Sequence, residues 1–378
     1  MKSILQIIVF CVISTVTAQD SFIIENVTLF DGEKIIPNTS VTIRDGQIEA
    51  VGNEASDIDI HIDGTGKFLI PALTNSHVHA FSPLSLKEAA NAGVLNLLDM
   101  HGMEPMQKFM KSQQDSSGVA RLFVAGYAAT APGGHGTQYG FEVPTLEKPE
   151  DAKQWVTDRV TAGVNHIKII VEPWKNTISH ETAKAVIDQA HQHQKVAVVH
   201  ISKAEDAYQV FMNGADGLVH LWWDKSMDEA QLQAISVRKG IFVIPTVLTS
   251  TLMHEVFMGK SKDEVVALEM MLLNEIKRLH EAGITILAGT DPPNANINMG
   301  TDLYKEMQYL IQAGLSPLEV LKSATSNPAE MFHLKEIGYI KPGYKADMIL
   351  LSANPLESIS NIDQILTIWK EGVAIERY

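Results

Sequence analysis

The sequence predicts an α/β protein: a (β/α)8 TIM barrel with a small β-sandwich domain built from both chain ends. The barrel is predicted because eight apolar, strand-like runs alternate with longer amphipathic stretches within residues 71–336. The second domain is predicted because residues 19–70 and 337–378 contain strand-like runs. A doubly wound open sheet is the alternative. The expected barrel strands are about 69–75, 93–99, 121–126, 166–171, 196–200, 217–221, 241–246 and 284–290.

Residues 1–18 have the pattern of a secretory signal peptide. Basic Lys2 precedes an apolar core that ends near Val16, and small residues follow up to Ala18. This core is shorter than the ~20 residues of a membrane-spanning helix, so a membrane anchor is disfavoured. A lipoprotein anchored at Cys11 is disfavoured because apolar residues continue beyond it. We therefore expect a protein exported to the periplasm or the extracellular space, without a cysteine in its mature form, since Cys11 is the only one.

The strand-like runs near the two chain ends are separated by turn signals. Asp31-Gly32 and Asp45-Gly46 lie between apolar runs, which is typical of β-hairpins. Strand character returns after Gly338, within residues 343–351 and 365–375. These segments predict one composite β domain.

The composition favours a small soluble substrate. The formal net charge is −15, from 45 acidic and 30 basic side chains, and no basic block occurs. Neither nucleic acid nor an anionic membrane surface is therefore expected as a partner. Hydrophobic residues make up 45% of the chain, which is enough for a large core. A homo-oligomer stays open, because no pattern indicates the oligomeric state.

A His-x-His pair at the end of an apolar run is the first indication of a metal site. Successive side chains alternate along a strand, so His77 and His79 share one face and can bind one ion. His191 and His193 have the same spacing within a helix-like stretch. Residues two apart on a helix point in different directions, so this second pair is not expected to bind one ion.

Four later polar residues each lie near the C-terminal end of a strand-like run: Lys168, His200, His220 and Asp291. The active site of a (β/α)8 barrel forms at these strand ends, so all four are expected near the His-x-His pair. Taken singly, His200 or His220 could be a core histidine, and Asp291 could be a turn residue. His166, two residues before Lys168, is interpreted as a core or supporting residue.

In this order of residues the chain resembles the amidohydrolase superfamily. Residues 313–329 and 338–350 resemble the closing signature of that family, and the likeness extends over essentially the whole mature chain. The glycine-rich segment 133–136 and Ile167-Lys168-Ile169 resemble the branch with prolidase-like and imidazolonepropionase-related members.

The resemblance implies a binuclear site for divalent ions, usually zinc. His77 and His79 would bind one ion with Asp291, and His200 and His220 would bind the second. Lys168, carboxylated by CO2, would bridge both ions. A bridging hydroxide would attack the substrate, with Asp291 accepting its proton and passing it to the leaving group.

The chemistry of a buried lysine supports the same role for Lys168. His166, Lys168 and Ile170 share one strand face, and an ammonium facing the barrel interior costs several kcal/mol unless it is neutralised or paired. Carboxylation removes that charge and creates an anionic oxygen ligand. The alternative is a metal-free site in which Lys168 pairs with Asp291 or Glu172.

Three residues are candidates for substrate contact: His135 and Tyr139 near the glycine-rich loop, and Trp222 after His220. Trp222 and its neighbour Trp223 would wall an aromatic or apolar pocket. Prolidase-like relatives commonly have a tyrosine in this loop to hold a substrate carboxylate, so its absence argues against Xaa-Pro specificity.

The leading function is a secreted, binuclear, metal-dependent amidohydrolase that cleaves the C–N bond of an amide, a dipeptide or a cyclic amide. Lactone or phosphotriester hydrolysis by the same site is an alternative. Another is a mononuclear deaminase or ring-opening enzyme with unmodified Lys168, although this chain has Lys203 where deaminases typically have a glutamate. A binding protein is disfavoured because no metal-binding position is missing.

Overall fold

The computed structural model describes residues 21–52 and 57–377. The predicted signal peptide and Cys11 lie outside the described residues. Within the described ranges no helix is long and apolar enough to span a membrane. Helices and parallel strands alternate through the middle of the chain, which confirms the predicted α/β class.

The strands and helices are numbered in chain order. The strands are β1 (Phe22–Phe30), β2 (Ile35–Arg44), β3 (Gln47–Val51), β4 (His61–Asp63), β5 (Phe68–Pro71), β6 (Leu73–Val78), β7 (Val94–Asp99), β8 (Arg121–Val124), β9 (Ile167–Ile170), β10 (Ala197–His200), β11 (Gly217–Val219), β12 (Phe242–Ile244), β13 (Thr285–Ile286), β14 (Met348–Leu351), β15 (Ile365–Lys370) and β16 (Val373–Ala374). The helices are α1 (Pro83–Asn91), α2 (Glu104–Lys111), α3 (Ala152–Thr161), α4 (His180–Gln192), α5 (Ala204–Met212), α6 (Glu229–Ser236), α7 (Val247–Val256), α8 (Lys262–Glu281), α9 (Asp302–Gln312), α10 (Pro317–Ser323) and α11 (Ser326–Met331).

Strands from the two chain ends form one mixed sheet in the order β16-β15-β14-β5-β1-β2-β3, with β4 beside β1. The rings of Phe22 and Trp369 stack across it, with centroids 5.4 Å apart. Asp45 and Gly46 both have positive φ and join β2 to β3, as the Asp-Gly signal predicts for a tight hairpin. The two ends of the chain therefore share one sheet and one apolar core.

The predicted strand 69–75 is wrong in its boundaries. β5 ends at Pro71 and pairs with β14 in the mixed sheet, while β6 begins at Leu73 and pairs with β7. The apolar run continues without a break through Ala72, whose N–H donates to the carbonyl of Asp347. Hydrophobicity alone therefore could not show that the chain passes from one sheet to the other at this point.

Two parallel sheets hold the remaining strands, β6-β7-β8 and β9-β10-β11-β12-β13. At one edge Ser76 N–H donates to Ala288 O, and at the other Ala129 N–H donates to Lys168 O, over 2.9 and 2.8 Å. Each edge of the first sheet thus contacts an edge of the second. The strand ends that carry the candidate site residues consequently meet in one place.

A buried carboxyl group holds the start of α7. Glu306 of α9 accepts hydrogen bonds from the backbone N–H groups of Val247 and Leu248, over 2.9 and 3.0 Å. Burial raises the pKa of Glu306 to about 7, and the hydrogen bonds from the backbone oppose that rise. Because α7 lines the cavity described below, Glu306 positions one of its walls.

We expect Glu306→Gln to change the pH dependence of stability. The carboxyl releases its proton near its usual pKa when unfolded, but near pH 7 when folded, so the folded chain binds more protons between these values. The stability of the wild type relative to the variant should therefore fall by about 3 kcal/mol between pH 4.5 and 7.5. Urea unfolding of both proteins at several pH values measures this, and a difference that is constant with pH would contradict it.

Candidate metal centre

Two histidines and one aspartate converge at the end of β6. His77 lies within β6 and His79 directly follows it, while Asp291 follows β13. The distance from Asp291 Oδ1 is 3.3 Å to His77 Nε2 and 3.0 Å to His79 Nε2. One ligand atom from each residue lies within 4.8 Å of the other two. The strand geometry expected for a His-x-His pair is therefore present.

The polar atoms of this group lack ordinary partners. Asp291 Oδ1 and His77 Nδ1 are both buried and form no hydrogen bond, although buried polar atoms are normally paired. The other carboxylate oxygen, Oδ2, accepts a hydrogen bond from Asn294 Nδ2 over 2.9 Å. A divalent ion would satisfy such a set of nitrogen and oxygen donors, so the residues present fit the metal implied by the resemblance.

In the rings of His79 and His200, one nitrogen donates a hydrogen bond, and this leaves the other nitrogen free to bind an ion. His79 Nδ1–H donates to the carbonyl of His101 over 3.0 Å, which leaves Nε2 unprotonated in the neutral ring. His200 Nε2–H donates to Glu172 Oε2 over 3.0 Å, which leaves Nδ1 unprotonated. Histidines that bind metals commonly donate their second N–H to a carbonyl or a carboxylate in this way.

His220 lies close to His77 and to His200. Its ring centroid is 4.8 Å from that of His77 and 4.7 Å from that of His200, and its Nδ1 is 2.6 Å from Thr246 Oγ1. Burial lowers the pKa of all three histidines well below the usual range, so each is neutral at pH 7. The neutral ring is the form that binds metal ions.

Three residues at or next to this site have a strained backbone. His220, Thr246 and Asp291 have φ values of 68°, 49° and 54°, a left-handed conformation that residues other than glycine rarely adopt. Such strain persists only where the surrounding structure enforces it, and it is typical of functional sites.

Lys168 lies on β9, is 3% exposed and lines the same cavity. Within the described residues its ammonium forms no ion pair with Asp291, with Glu172 or with any other carboxylate. Burial lowers the pKa of Lys168 to about 7. A sizeable fraction of the amine is therefore uncharged near neutral pH, which is the form that reacts with CO2.

All six residues predicted to bind metal ions line one cavity of about 330 Å³, and His135 and Tyr139 also line it. The prediction for Trp222 is corrected: this side chain is fully buried in the apolar core, whereas Trp223 lines the cavity. The two residues follow β11, and their side chains point to opposite sides of the chain. Both tryptophans were candidates for the pocket wall, and the local pattern does not show which of the two faces the cavity.

Sequence reasoning missed several residues of the cavity wall. His101 lies two residues beyond the end of β7, and its ring is fixed by Ala128 N–H, a donor to Nδ1, and by the carbonyl of Gly136. Its position just after a predicted strand could have identified it as a site residue, as it did for His200 and His220. Met253, His254 and Phe257 come from α7 and its C-terminal end, where an amphipathic pattern alone does not distinguish a cavity wall from a core face.

Hydrogen bonds also fix the orientation of His135. Gly136 N–H donates to Gln138 Oε1 over 2.8 Å, so the Gln138 amide nitrogen is directed at His135 Nδ1, 3.2 Å away. This nitrogen can only donate, and His135 Nδ1 therefore accepts. The ring proton is thus on Nε2, and a neutral His135 presents a hydrogen-bond donor in the cavity.

Comparisons with known proteins show to which proteins the chain is similar. Ochratoxinase from Aspergillus niger is 24% identical over 59% of this chain and 48% of that protein. A 5-methylthioadenosine/S-adenosylhomocysteine deaminase from Thermoanaerobacter pseudethanolicus is 23% identical over 88% of this chain and 85% of that protein. The crystal structure of a Xaa-Pro dipeptidase with bound methionine is similar with a TM-score of 0.82 and 20% identity, covering 94% of this chain and 100% of that one.

The model of the amidohydrolase family matches residues 68–375, which is most of the chain. That match includes every strand end that contributes to the cavity. The chain belongs to the amidohydrolase family, as its motifs predicted.

Proposed function

We propose that this protein is an exported, binuclear, metal-dependent amidohydrolase that cleaves a C–N bond in a small molecule by adding water. One observation carries the proposal: the unpartnered, buried Oδ1 of Asp291 lies beside His77 Nε2 and His79 Nε2 in a cavity that Lys168 also lines. Hydrolysis of a C–N bond is the activity that membership of the amidohydrolase family supports.

The proposal includes a closed barrel. The edge contacts between the two parallel sheets support an arrangement in which β6 to β13 form a (β/α)8 barrel within residues 71–336. Residues 19–70 and 337–378 then form the second domain, for which we retain the predicted β-sandwich. Export rests on the signal-peptide pattern of residues 1–18.

We propose that the site binds two divalent ions and that they are zinc. His77, His79 and Asp291 would hold the first, and His200 and His220 the second, with carboxylated Lys168 bridging them. When bound, the ions supply Lewis acidity that lowers the pKa of water and polarises a carbonyl. Glu172 and the carbonyl of His101 keep the rings of His200 and His79 in the tautomers that this role requires.

We assign proton transfer to Asp291 and hydrogen bonding of the substrate to His135. Asp291 Oδ1 lies 3.3 Å from His77 Nε2 and 3.0 Å from His79 Nε2, beside the proposed ions, so the carboxylate can accept a proton from the attacking water and pass it to the leaving nitrogen. Asn294 holds the other oxygen and keeps the carboxylate oriented. His135 Nε2–H can donate to the substrate carbonyl oxygen, because Gln138 fixes the ring proton on that atom.

A second candidate is a hydrolase that uses a single ion, such as a deaminase or a ring-opening enzyme. The observation that favours it is that the compact group of ligand atoms among the described residues consists of His77, His79 and Asp291 alone. In that mechanism Lys168 would stay an unmodified amine near the site.

The proposed function is tested with purified protein, expressed from the full sequence and supplied with zinc and bicarbonate. We expect hydrolysis of at least one substrate in a panel of anilides, dipeptides and cyclic amides, with loss on chelation and recovery on adding zinc. Lactones, phosphotriesters and adenosine derivatives in the same panel distinguish the alternatives. His193→Ala is the control for His79→Ala, since His193 is an exposed histidine outside the cavity. A metal-loaded protein that is inactive on the whole panel would contradict the proposal.

A further inference from the structure

In the part of the chain that the structure describes, the cavity wall outside the metal centre has no permanent positive charge. Among the described residues that line it, Lys168 is the only lysine and arginine is absent. The proposed function commits Lys168 to the metal centre. The acidic side chains on the wall are Glu172 and Asp291. Substrate carboxylates are usually recognised by arginine or lysine. The ammonium of Lys175 lies 5.3 Å from the centroid of the Trp174 ring, but Lys175 does not line the cavity, so a carboxylate inside the cavity would lack such a partner.

The outer part of the cavity is apolar and aromatic. Trp223, Met253, Phe257 and Met258 line it from the segment after β11 and from α7 with the residues that follow it. Trp174 lines it from the segment after β9. A ligand that touches both groups would contact aromatic surface supplied by separate loops.

Several of these side chains remain exposed although they are large and apolar. Trp174 is 57% exposed, Phe257 65% and Met258 51%. Single exposed apolar residues are common on protein surfaces. Three that line one cavity are typical of a binding site, because burying an aromatic ring removes ~150–250 Å² of surface from water.

One polar group in this part of the wall is suited to an uncharged amide. His254 Nδ1–H donates to the carbonyl of Ser250 over 2.8 Å, so Nε2 is an acceptor in the neutral ring. The ring of Trp223 packs edge-on against that of His254, with centroids 5.2 Å apart. A substrate N–H next to an aromatic group would find both an acceptor and an apolar surface here.

We propose that the site takes an uncharged amide or urea with an aromatic or bulky apolar substituent, and that it discriminates against substrates carrying a carboxylate. This inference rests on the proposed function and names its substrate class. In the reaction water gives its hydroxyl to the acyl carbon, the C–N bond breaks, and the amine leaves with a proton on nitrogen. No oxidant or reductant is required.

A pair of anilides that differ in one group tests the charge preference: 4-methylacetanilide and 4-acetamidobenzoate. With zinc-loaded protein expressed from the full sequence, we expect kcat/KM to be at least tenfold higher for the neutral compound. Calorimetry should show at least tenfold tighter binding of the neutral compound under conditions where turnover is negligible. Equal or better binding of the carboxylate compound would overturn the inference.

A matched pair of variants tests the apolar wall. Phe257→Ala should weaken binding of 4-methylacetanilide about tenfold, while Phe109→Ala should leave it unchanged, since Phe109 is 52% exposed on α2 and outside the cavity. Both positions are exposed, so both variants should fold like the wild type. Equal affinities of the two variants would overturn the inference.

The two measurements separate this inference from the proposed function. Binding of the neutral compound that depends on Phe257, without hydrolysis of any compound, would contradict the proposed function and support the substrate class. Hydrolysis with a preference for the carboxylate compound would support the function and overturn the substrate class.

Discussion

Replacing Lys168 with methionine should lower kcat/KM at least 10³-fold and leave the fold intact. Methionine has a similar length but cannot be carboxylated, so the proposed bridging ligand is lost and fewer ions should bind. The stability of the metal-free protein should stay the same or rise, because the variant removes the amine of a residue that is 3% exposed. Steady-state kinetics, metal analysis and thermal unfolding measure these three effects.

Lys168→Arg is the control for the charge of this residue. Arginine keeps a positive charge but does not form a stable carbamate at neutral pH, so we expect it to be as inactive as methionine. If the role of Lys168 were to supply a cation, the arginine variant would retain much more activity than the methionine variant. That result would contradict the carboxylated bridge.

Asp291→Asn should also lower kcat/KM at least 10³-fold. Asparagine has nearly the same shape, but its amide cannot accept a proton in the reaction, and it is a weak ligand compared with a carboxylate. The expected loss combines both roles, so metal content should be measured together with activity. Asp188→Asn is the matched control, because Asp188 is an exposed aspartate on α4 that lies outside the cavity.

Asn294→Ala separates the orientation of the Asp291 carboxylate from its role in proton transfer. It removes the hydrogen bond to Asp291 Oδ2 while the carboxylate stays. We expect a loss of about tenfold in kcat, in line with one positioning hydrogen bond of ~1–1.5 kcal/mol. An Asn294→Ala variant as inactive as Asp291→Asn would contradict the assignment of the proton transfer to Asp291.

The α/β class and the proximity of the site residues were predictable because both depend on local patterns. Short apolar runs with a polar residue within them, at their end or directly after them mark β9, β10 and β11, and these parallel strands bring Lys168, His200 and His220 to the same region of the sheet. The spacing of His77 and His79 fixed their common face without reference to any other part of the chain.

Apart from His135, Tyr139 and Trp223, most of the cavity wall could not be predicted, because it depends on tertiary contacts. Glu172 was considered only as an ion partner for Lys168, whereas it accepts a hydrogen bond from His200. Its position two residues beyond β9 is compatible with either partner. Likewise, α7 contributes Met253 because Glu306, more than fifty residues later, holds the start of that helix. Contacts across such separations leave no local signal in a single sequence.

The metal content of the purified protein distinguishes the two-ion site from the single-ion candidate. The protein should be expressed from the full sequence, purified without chelator and supplied with zinc and bicarbonate. We expect two zinc ions per chain, a count that falls in Lys168→Met, and a carbamate signal after labelling with ¹³C-bicarbonate. One ion per chain without a carbamate would favour the single-ion candidate, and a protein that binds no ion after reconstitution would contradict the account.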